Sequence, residues 1–389
     1  MDKIVFLEWK SFGNEHIVRE FKAQGYEIVS FLFPRETEDV RNSMVLTEKL
    51  TNFILKEKPS FVFSFNFFPV AAIACKACRT RYVSWVYDSP YILMYSETVK
   101  FDTNRLFVFD KVETLKFQEM GIRNVFYLPM AAATDYYDTI LPSVDDYARY
   151  HSDVTFIGSM YSEKGQHMFR HLDDLDEYTR GYLFGLMQAQ KDLYGIDILE
   201  SGLTKDIVRR IQKICPITEH GDGFETVEWV LANYFLARKL TAMEREEIID
   251  SLSKKYSVKL FTPEATPHLS KVENMGRIDY YTQAPYAMKC AKINLNISLR
   301  SIHSGMPLRA LDILGCGGFL LTNYQADFMD YFEPGKDFVY YSNTKEVPEI
   351  VEYYLSHEQE RMQIAKNGYE KVCQYLSYKK QINSLLDAI

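Results

Sequence analysis

The sequence has little cysteine and no long apolar run. Six cysteines are spread over 389 residues, and only Cys75 and Cys78 stand close together. A single such pair is a weak metal signal and favours two reduced thiols in a helix. No segment approaches about 18 consecutive apolar residues, the length that a membrane-spanning helix needs, and no signal-like apolar stretch follows Met1. We therefore expect a cytoplasmic protein without a transmembrane segment.

Blocks of basic residues, internal repeats and low-complexity segments are also lacking. The formal net charge is -8, which argues against a nucleic-acid partner. Aromatic residues are abundant instead, with 28 Tyr and 26 Phe. Tyrosine can stack on sugars or bases, although we expect most of these rings to lie in the hydrophobic core. A hydrophobic fraction of 47% and a charged fraction of 25% are typical of a folded chain, here long enough for two domains.

Strand-like runs alternate with helical stretches in two parts of the chain. Such alternation predicts parallel sheets covered by helices on both faces. The predicted fold is α/β, with two doubly wound, Rossmann-like lobes at residues 1–150 and 151–374. Between about residues 163 and 255 the sequence indicates helix after helix, so we expect a helical insertion in the C-terminal lobe.

The most informative stretch is residues 294–323. A predicted strand ends near Ser298, and Pro307 stands where proline opens a helix. Backbone amides and the dipole at such a helix start favour a pyrophosphate. The loop between strand and helix carries the candidate phosphate-binding residues Arg300, His303, Ser304 and Gly305.

Arg309 and Asp312 lie one turn into this helix. They are three residues apart and share a face. An Asp near a nucleotide phosphate site commonly accepts hydrogen bonds from ribose hydroxyls. By spacing alone, a local ion pair that ties down the helix is an equally good interpretation.

The residues from Gly276 to Lys371 resemble the glycosyltransferase-like domain of the spore-maturation CgeB/YkvP family, which has the GT-B fold. The tail from Ile364 to Val372 fits this pattern. The motif is met by Leu295, Asn296, Arg300, Gly305, Arg309, Asp312, Gly317, Gly318 and the run from Phe332 to Asp337. Shorter motifs at Trp85 to Pro90, Tyr127 to Pro129 and Asp153 to Ser159 are similar to the N-terminal region that accompanies this domain.

The resemblance implies a glycosyltransferase of hexosyltransferase type. In such enzymes the C-terminal lobe binds a nucleotide-diphosphate sugar, and a UDP-sugar is favoured here. The sugar is transferred in the cleft between the lobes, without a metal ion or a cofactor. It also implies that a helix at residues 375–389 packs back on the first lobe. Ser304 stands eight residues before Asp312, where many retaining enzymes carry a glutamate, so the stereochemistry stays open.

Two further segments are candidates for the donor site. Gly158 and Ser159 follow the first strand of the second lobe, where a tight turn can offer amides and a hydroxyl to a phosphate. The backbone of Arg277 and Ile278 lies in the loop that holds the base in similar lobes. A neighbouring tyrosine, Tyr281 or Tyr280, could stack on the base or simply pack against the insertion.

Asp88 is the main candidate in the first lobe. It ends an apolar strand, so its carboxylate should project from the carboxyl end of the sheet, where it could deprotonate an acceptor hydroxyl. The alternative is an Asp that caps the turn before Pro90. The turn after the first strand supplies Gly13 and Asn14 as acceptor-side candidates and His16 as a second possible base or a solvent-facing residue.

Two other motifs are set aside. Asp174 and Asp176 form an Asp-x-Asp pair, but they lie in a charged helical stretch and not after a buried strand. His167 and His171 are four residues apart, yet no third metal ligand is evident from spacing.

The expected function is transfer of a sugar to a protein, a glycan or another hydroxyl acceptor. A catalytically silent GT-B protein that binds a nucleotide sugar as partner or scaffold is the main alternative. A sugar-nucleotide epimerase is the second.

Overall fold

The computed structural model describes residues 2–162 and 173–389. The chain forms two compact units. The first unit comprises Met1–Ala131, Glu219–Glu225 and Ser377–Ile389, and the second comprises Ala132–Thr218 and Thr226–Leu376. Each unit contains one six-stranded sheet, and every described strand pairing is parallel.

The sheet of the first unit has the strand order β2-β1-β3-β4-β5-β6. Its strands are β1 Lys3–Glu8, β2 Glu27–Leu32, β3 Phe61–Phe65, β4 Arg81–Val86, β5 Asn104–Val108 and β6 Val125–Tyr127. Its helices are α1 Asn14–Ala23, α2 Met44–Glu57, α3 Pro69–Cys78 and α4 Lys111–Glu119. Every residue of β3 is buried, as expected for a central parallel strand with helices on both faces.

Two segments from later in the sequence complete the first unit. Helix α15, Tyr378–Asp387, packs on α1. The segment Glu219–Glu225 joins through Asp222, which accepts hydrogen bonds from Arg41 Nε at 2.9 Å and from Ser96 Oγ at 3.1 Å. These contacts bring a piece of the helical stretch into the first unit, and no sequence signal marked it.

The sheet of the second unit has the order β12-β11-β10-β7-β8-β9. Its strands are β7 Ser152–Ile157, β8 Val258–Phe261, β9 Glu273–Asn274, β10 Ala291–Asn296, β11 Leu320–Asn323 and β12 Val339–Tyr341. Its helices are α5 Thr134–Tyr137, α6 Val144–Tyr150, α7 Glu177–Lys191, α8 Lys205–Ile214, α9 Val227–Val230, α10 Ala237–Ser253, α11 Ala284–Cys290, α12 Leu308–Gly315, α13 Val347–Ser356 and α14 Glu358–Tyr375. The prediction of two doubly wound α/β lobes is confirmed.

The helices α7 to α10 form their own hydrophobic core within the second unit. Leu183, Leu203, Ile211 and Leu240 are among its buried residues. A π-helical turn at Leu231–Leu236 leads directly into α10, and π-turns recur at functional sites. None of the helices in the described part of the chain is both long and apolar enough to cross a membrane.

Candidate functional site

The loop after β7 forms the floor of the candidate site in the second unit. Ser159 donates a hydrogen bond from its hydroxyl to Glu264, and the same carboxylate accepts from Met160 N at 3.0 Å and from the hydroxyl of Thr262. Burial works against ionisation of Glu264, but these hydrogen bonds lower the pKa of this carboxyl. The Ser159 side chain therefore helps to fix the conformation of the loop through Glu264.

Arg245 of α10 reaches this loop from the helical stretch. Its guanidinium donates to the carbonyl oxygens of Ser159 and Ile297, which follow β7 and β10. The residue is 2% exposed, and burial lowers its pKa, although a guanidinium stays protonated at neutral pH. A permanent positive charge is thus fixed at the carboxyl ends of the two central strands.

Two more arginines surround the same loop. Arg238 and Arg245 place their Cζ atoms 4.7 Å and 4.5 Å from the ring centroid of Tyr161. Arg245 and Arg309 place theirs 5.1 Å and 5.9 Å from the ring centroid of Phe156. The two rings therefore link three guanidinium groups into one cluster, which we call the arginine cluster (Arg238, Arg245 and Arg309).

No carboxylate of the described residues forms a salt bridge with the arginine cluster. The ion pairs found in the second unit involve other cations, and the Nε atoms of all three cluster arginines are buried without a hydrogen-bond partner. A buried charge without a counter-charge is costly. The cluster is accordingly suited to an anionic ligand, which guanidinium groups bind through paired N–H donors.

Helix α12 begins beside this cluster. Pro307 precedes its first residue and no side chain caps its first turn, so its first amides are not satisfied by a cap. Arg309 in this turn lies against Gly158, because a Cβ atom at Gly158 would be 3.1 Å from Arg309 Nη2. The predicted helix start, Gly158 and Arg309 are thus brought together around one position for an anion.

Asp312 lies in α12 with both carboxylate oxygens engaged. Tyr137 donates to Oδ1 at 2.7 Å and Tyr280 donates to Oδ2 at 2.6 Å. Burial raises the pKa of Asp312 to about 6, and the two tyrosine hydroxyls and the charge of Arg309 act in the opposite direction. Only 3% of the residue is exposed, so the described geometry uses Asp312 to join α5, the loop after β9 and α12. A direct ribose contact would need one of these tyrosines to move.

Arg300 has a different environment from the one predicted. Its guanidinium is paired with buried Glu244 at 2.6 Å and donates to the carbonyl oxygens of Lys191 and Leu193. It also stacks on Tyr194 at 3.7 Å. Its Nε, Nη1 and Nη2 atoms each donate to protein groups, an environment that differs from the predicted phosphate contact. Arg300 ties the loop after β10 to α7 and α10, and we do not assign it to the donor.

The other residues predicted for the donor site are spread over two loops. His303 faces Asp197 at 3.7 Å, and Ser304 and Gly305 are buried just before α12. Asn296 is buried and donates to Ser298 and Thr322. Beyond β9, Arg277 is exposed, Ile278 and Tyr281 are half-buried, and Tyr280 rather than Tyr281 contacts Asp312.

In the first unit, Asp88 lies after β4 at the carboxyl end of the sheet. Its Oδ2 accepts from Asn66 Nδ2 at 2.8 Å and from Arg35 Nη2 at 3.3 Å, and the side chain is 37% exposed. The Arg35 guanidinium stacks on Trp9 with its Cζ atom 4.2 Å from the ring centroid. The carboxylate is therefore oriented by groups that follow two other strands of the sheet, β3 and β2, and is still open to solvent.

Gly13, Asn14 and His16, the other candidates in the first unit, pack against or hydrogen-bond to neighbouring protein groups. Gly13 has a φ of 89°, and an added Cβ atom would collide with the hydroxyl of Tyr378. Asn14 donates to the carbonyl oxygen of Trp9 at 2.7 Å. His16 is buried, with its ring centroid 5.3 Å from that of Tyr378, so it does not face solvent.

Several residues that shape these sites were not identified from the sequence. Arg238 and Arg245 are seven residues apart on one helix, and this spacing is the sequence pattern that could have identified them. Asp176, which was set aside as a metal ligand, caps α7 by accepting from Thr179 N at 3.0 Å. His167 and His171 lie outside the described residues. The residues that sequence analysis did not identify are Arg238, Arg245, Glu264, Tyr137 and Asn66.

A family model described as glycosyl transferase-like matches residues 238–387, which is less than half of the chain. The match contains all three residues of the arginine cluster. No curated protein matches the chain significantly.

Solved structures match over the whole chain at low identity. Sucrose-phosphate synthase from Thermosynechococcus elongatus is 8% identical with a TM-score of 0.58, and the match covers 100% of this chain and 98% of that one. HepE of Anabaena in complex with UDP-glucose is 12% identical with a TM-score of 0.56 and full coverage of both chains. A glycosyltransferase from Rickettsia africae is 11% identical with a TM-score of 0.55, and the match covers 99% and 97% of the two chains. At these identities the likeness shows the fold, which is the GT-B fold.

Proposed function

We propose that this protein is a glycosyltransferase that moves a sugar from a nucleotide-diphosphate sugar to a hydroxyl acceptor. The observation that carries the proposal is the arginine cluster at the start of α12, where three guanidinium groups lack a carboxylate partner among the described residues. A pyrophosphate supplies the charge and the acceptor oxygens that such a cluster needs.

The cluster fits the leaving group of sugar transfer. When the bond between the anomeric carbon and the β-phosphate oxygen breaks, negative charge grows on the pyrophosphate. Guanidinium groups and helix amides that are already oriented toward this charge lower the barrier, because they do not need to reorganise during the reaction. Arg245 and Arg309 supply this stabilisation from protein side chains, so the proposed transfer does not require a metal ion.

The proposed donor is supported by the similarity to HepE and by the family match. The complex of HepE contains UDP-glucose, and the family match spans the arginine cluster. These two findings support a UDP-sugar as donor and hexosyl transfer, and membership of the CgeB/YkvP family is part of the proposal on the motif of residues 276–371 alone. We place the base near the loop of Arg277, Ile278 and Tyr281.

We assign the acceptor side to Asp88. Its carboxylate accepts the proton of an acceptor hydroxyl while the hydroxyl oxygen forms the new bond to the anomeric carbon. Partial loss of hydration raises the pKa of Asp88, while the charge of Arg35 and the hydrogen bond from Asn66 act to lower it, a combination that suits a base. The acceptor is a glycan, a protein or another hydroxyl compound. The six cysteines are free, which fits a protein of the reducing cytoplasm.

The test is an assay of UDP release and product formation with a panel of UDP-sugars and hydroxyl acceptors, using the wild type and the variant Asp88→Asn. We expect acceptor-dependent release by the wild type. The variant should bind the donor with unchanged affinity but transfer at least about 100-fold more slowly, as for loss of a general base.

Other outcomes separate the remaining functions. Donor binding without turnover under all conditions indicates a silent nucleotide-sugar-binding protein. A changed sugar nucleotide formed without acceptor indicates an epimerase. Either result would overturn the proposal.

A further inference from the structure

Asn66 has an unusual backbone conformation at the carboxyl end of β3. Its φ is 58°, in the left-handed region, and the residue is fully buried. For a residue other than glycine this conformation is uncommon, although asparagine tolerates it better than most. Such an outlier persists only where the surrounding structure holds it, and it is a reason to look for a function.

The polar groups of Asn66 are all used. Its Oδ1 accepts from Tyr87 N at 3.1 Å and from Asp88 N at 3.2 Å, and its Nδ2 donates to Asp88 Oδ2 at 2.8 Å. Its backbone amide donates to the carbonyl oxygen of Trp85 at 2.9 Å. One buried side chain therefore holds both the backbone and the carboxylate of Asp88.

We propose that Asn66 is the positioning residue of Asp88, which it holds in the orientation needed to accept a proton from the acceptor hydroxyl. This positioning role of Asn66 rests on the function proposed above for Asp88. Leucine or alanine would fill part of the same space, but a carboxamide can also accept two amide hydrogens through its oxygen and donate to a carboxylate through its nitrogen.

Other charged groups near Asp88 are less well placed for this task. Arg35 contacts Asp88 Oδ2 at 3.3 Å with a side chain that is 34% exposed, so solvent weakens the pair. Asp110 and Glu113 line the same small cavity as Asp88, but carboxylates only accept hydrogen bonds and so cannot hold another carboxylate in place. Asn66 is thus the fully buried hydrogen-bond donor to the Asp88 carboxylate.

The wild-type protein allows a direct test by NMR. The carboxyl carbon of Asp88, assigned through Asp88→Asn, is titrated together with the side-chain amide of Asn66. We expect the amide signal of Asn66 to shift with the same midpoint as the Asp88 carboxyl, because the two groups share a hydrogen bond. An Asn66 amide that does not respond to this titration would overturn the proposal.

A pair of glycine variants supplies a second test. Asn66→Gly keeps the left-handed backbone and removes the side-chain hydrogen bonds, whereas Arg79→Gly relaxes a comparable backbone, with φ 53°, at the end of α3. We expect Asn66→Gly to raise the pKa of Asp88, because the hydrogen bond that lowers it is lost, and Arg79→Gly to leave it unchanged. An equal Asp88 titration in both variants would contradict the role of Asn66.

The pH dependence of transfer gives the catalytic readout. In Asn66→Gly the acid limb of kcat should move to higher pH and kcat should fall by about 10-fold or more, with an unchanged KM for the donor. A fall in kcat without a moved acid limb would indicate a merely structural role. If the wild type transfers no sugar, the function proposed for the protein fails, whereas the NMR titration still decides whether Asn66 positions Asp88.

Discussion

The guanidinium of Arg309 lies directly against the backbone of Gly158. A Cβ atom placed on Gly158 would be 3.1 Å from Nη2 and 3.2 Å from Cζ of Arg309. The side chain of Arg309, from the first turn of α12, therefore packs directly on the backbone that follows β7. This close approach leaves the arginine in place for a ligand at the helix start.

The first prediction concerns this contact. Gly158→Ala should weaken the affinity for UDP by about 3-fold to 10-fold, because the methyl group displaces the guanidinium from a charge-assisted hydrogen bond. In the background of Arg309→Met the same substitution should have little further effect, since the displaced group is already absent. Calorimetric titration of the single and double variants measures the coupling. Fully additive losses would show that the contact between Gly158 and Arg309 is irrelevant to binding.

The second prediction separates Arg300 from the donor site. Arg300→Met should lower the free energy of unfolding by about 3–5 kcal/mol, because it leaves Glu244 buried and without its partner. The double variant Arg300→Met/Glu244→Gln should recover part of this loss. Urea unfolding measures the stabilities. A loss of UDP affinity by the folded variant, without a change in stability, would return Arg300 to the donor site.

The third prediction concerns Gly13. Gly13→Ala places a side chain at φ 89° and against the hydroxyl of Tyr378. Gly25→Ala is a matched control, since it has a φ of 90° but no atom within 4 Å of the added Cβ. Both variants should lose about 1–2 kcal/mol for the left-handed backbone, and Gly13→Ala should lose more. The excess should shrink in Tyr378→Phe, and equal unfolding free energies for the two alanine variants would refute the collision.

The fourth prediction follows from the raised pKa of Asp312. Its folded-state value is about 6, against an ordinary value of 3.8, so the folded state binds the proton more tightly than the unfolded state. The protonated Asp312 carboxyl therefore adds to the free energy of unfolding. This contribution is fully present below about pH 4 and is lost as the pH rises to about 6. The shift of about two units corresponds to about 3 kcal/mol.

Asp312→Asn removes this pH dependence. The unfolding free energy of the variant minus that of the wild type should increase between about pH 4 and pH 6 and then level off. Chemical denaturation at a series of pH values tests this. A difference that is constant or that falls over this window would show that Asp312 is not held with a raised pKa.

The architecture was accessible from sequence because it depends on local patterns. Alternating apolar strands and amphipathic helices, with Pro307 before α12 and the glycines after it, identify the two lobes and the helix start. The segment Glu219–Glu225 was not accessible. Its place in the first unit depends on the distant pairing of Asp222 with Arg41, which no local pattern encodes.

The candidate site was predicted only in part for the same reason. Gly158, Arg309 and Asp88 follow strands or open a helix, so their positions at the sheet edge could be inferred. Arg245 reaches the site from a helix of the long helical stretch, and its approach to Ser159 is a tertiary contact between residues 86 positions apart. The pairing of Arg300 with buried Glu244 could not be inferred from the sequence, because it joins residues 56 positions apart.

In the proposed function the arginine cluster holds the diphosphate of a nucleotide sugar. Calorimetric titration of UDP into the wild type, Arg245→Met and Arg209→Met tests it most directly, since Arg209 is an exposed arginine of α8 paired with Asp206 and serves as the control. The account predicts that the wild type and Arg209→Met bind UDP equally and that Arg245→Met binds about 10-fold to 100-fold more weakly, the loss of a charge-assisted contact. Equal affinity of all three proteins, or the absence of nucleoside diphosphate binding by the wild type, would contradict the claim.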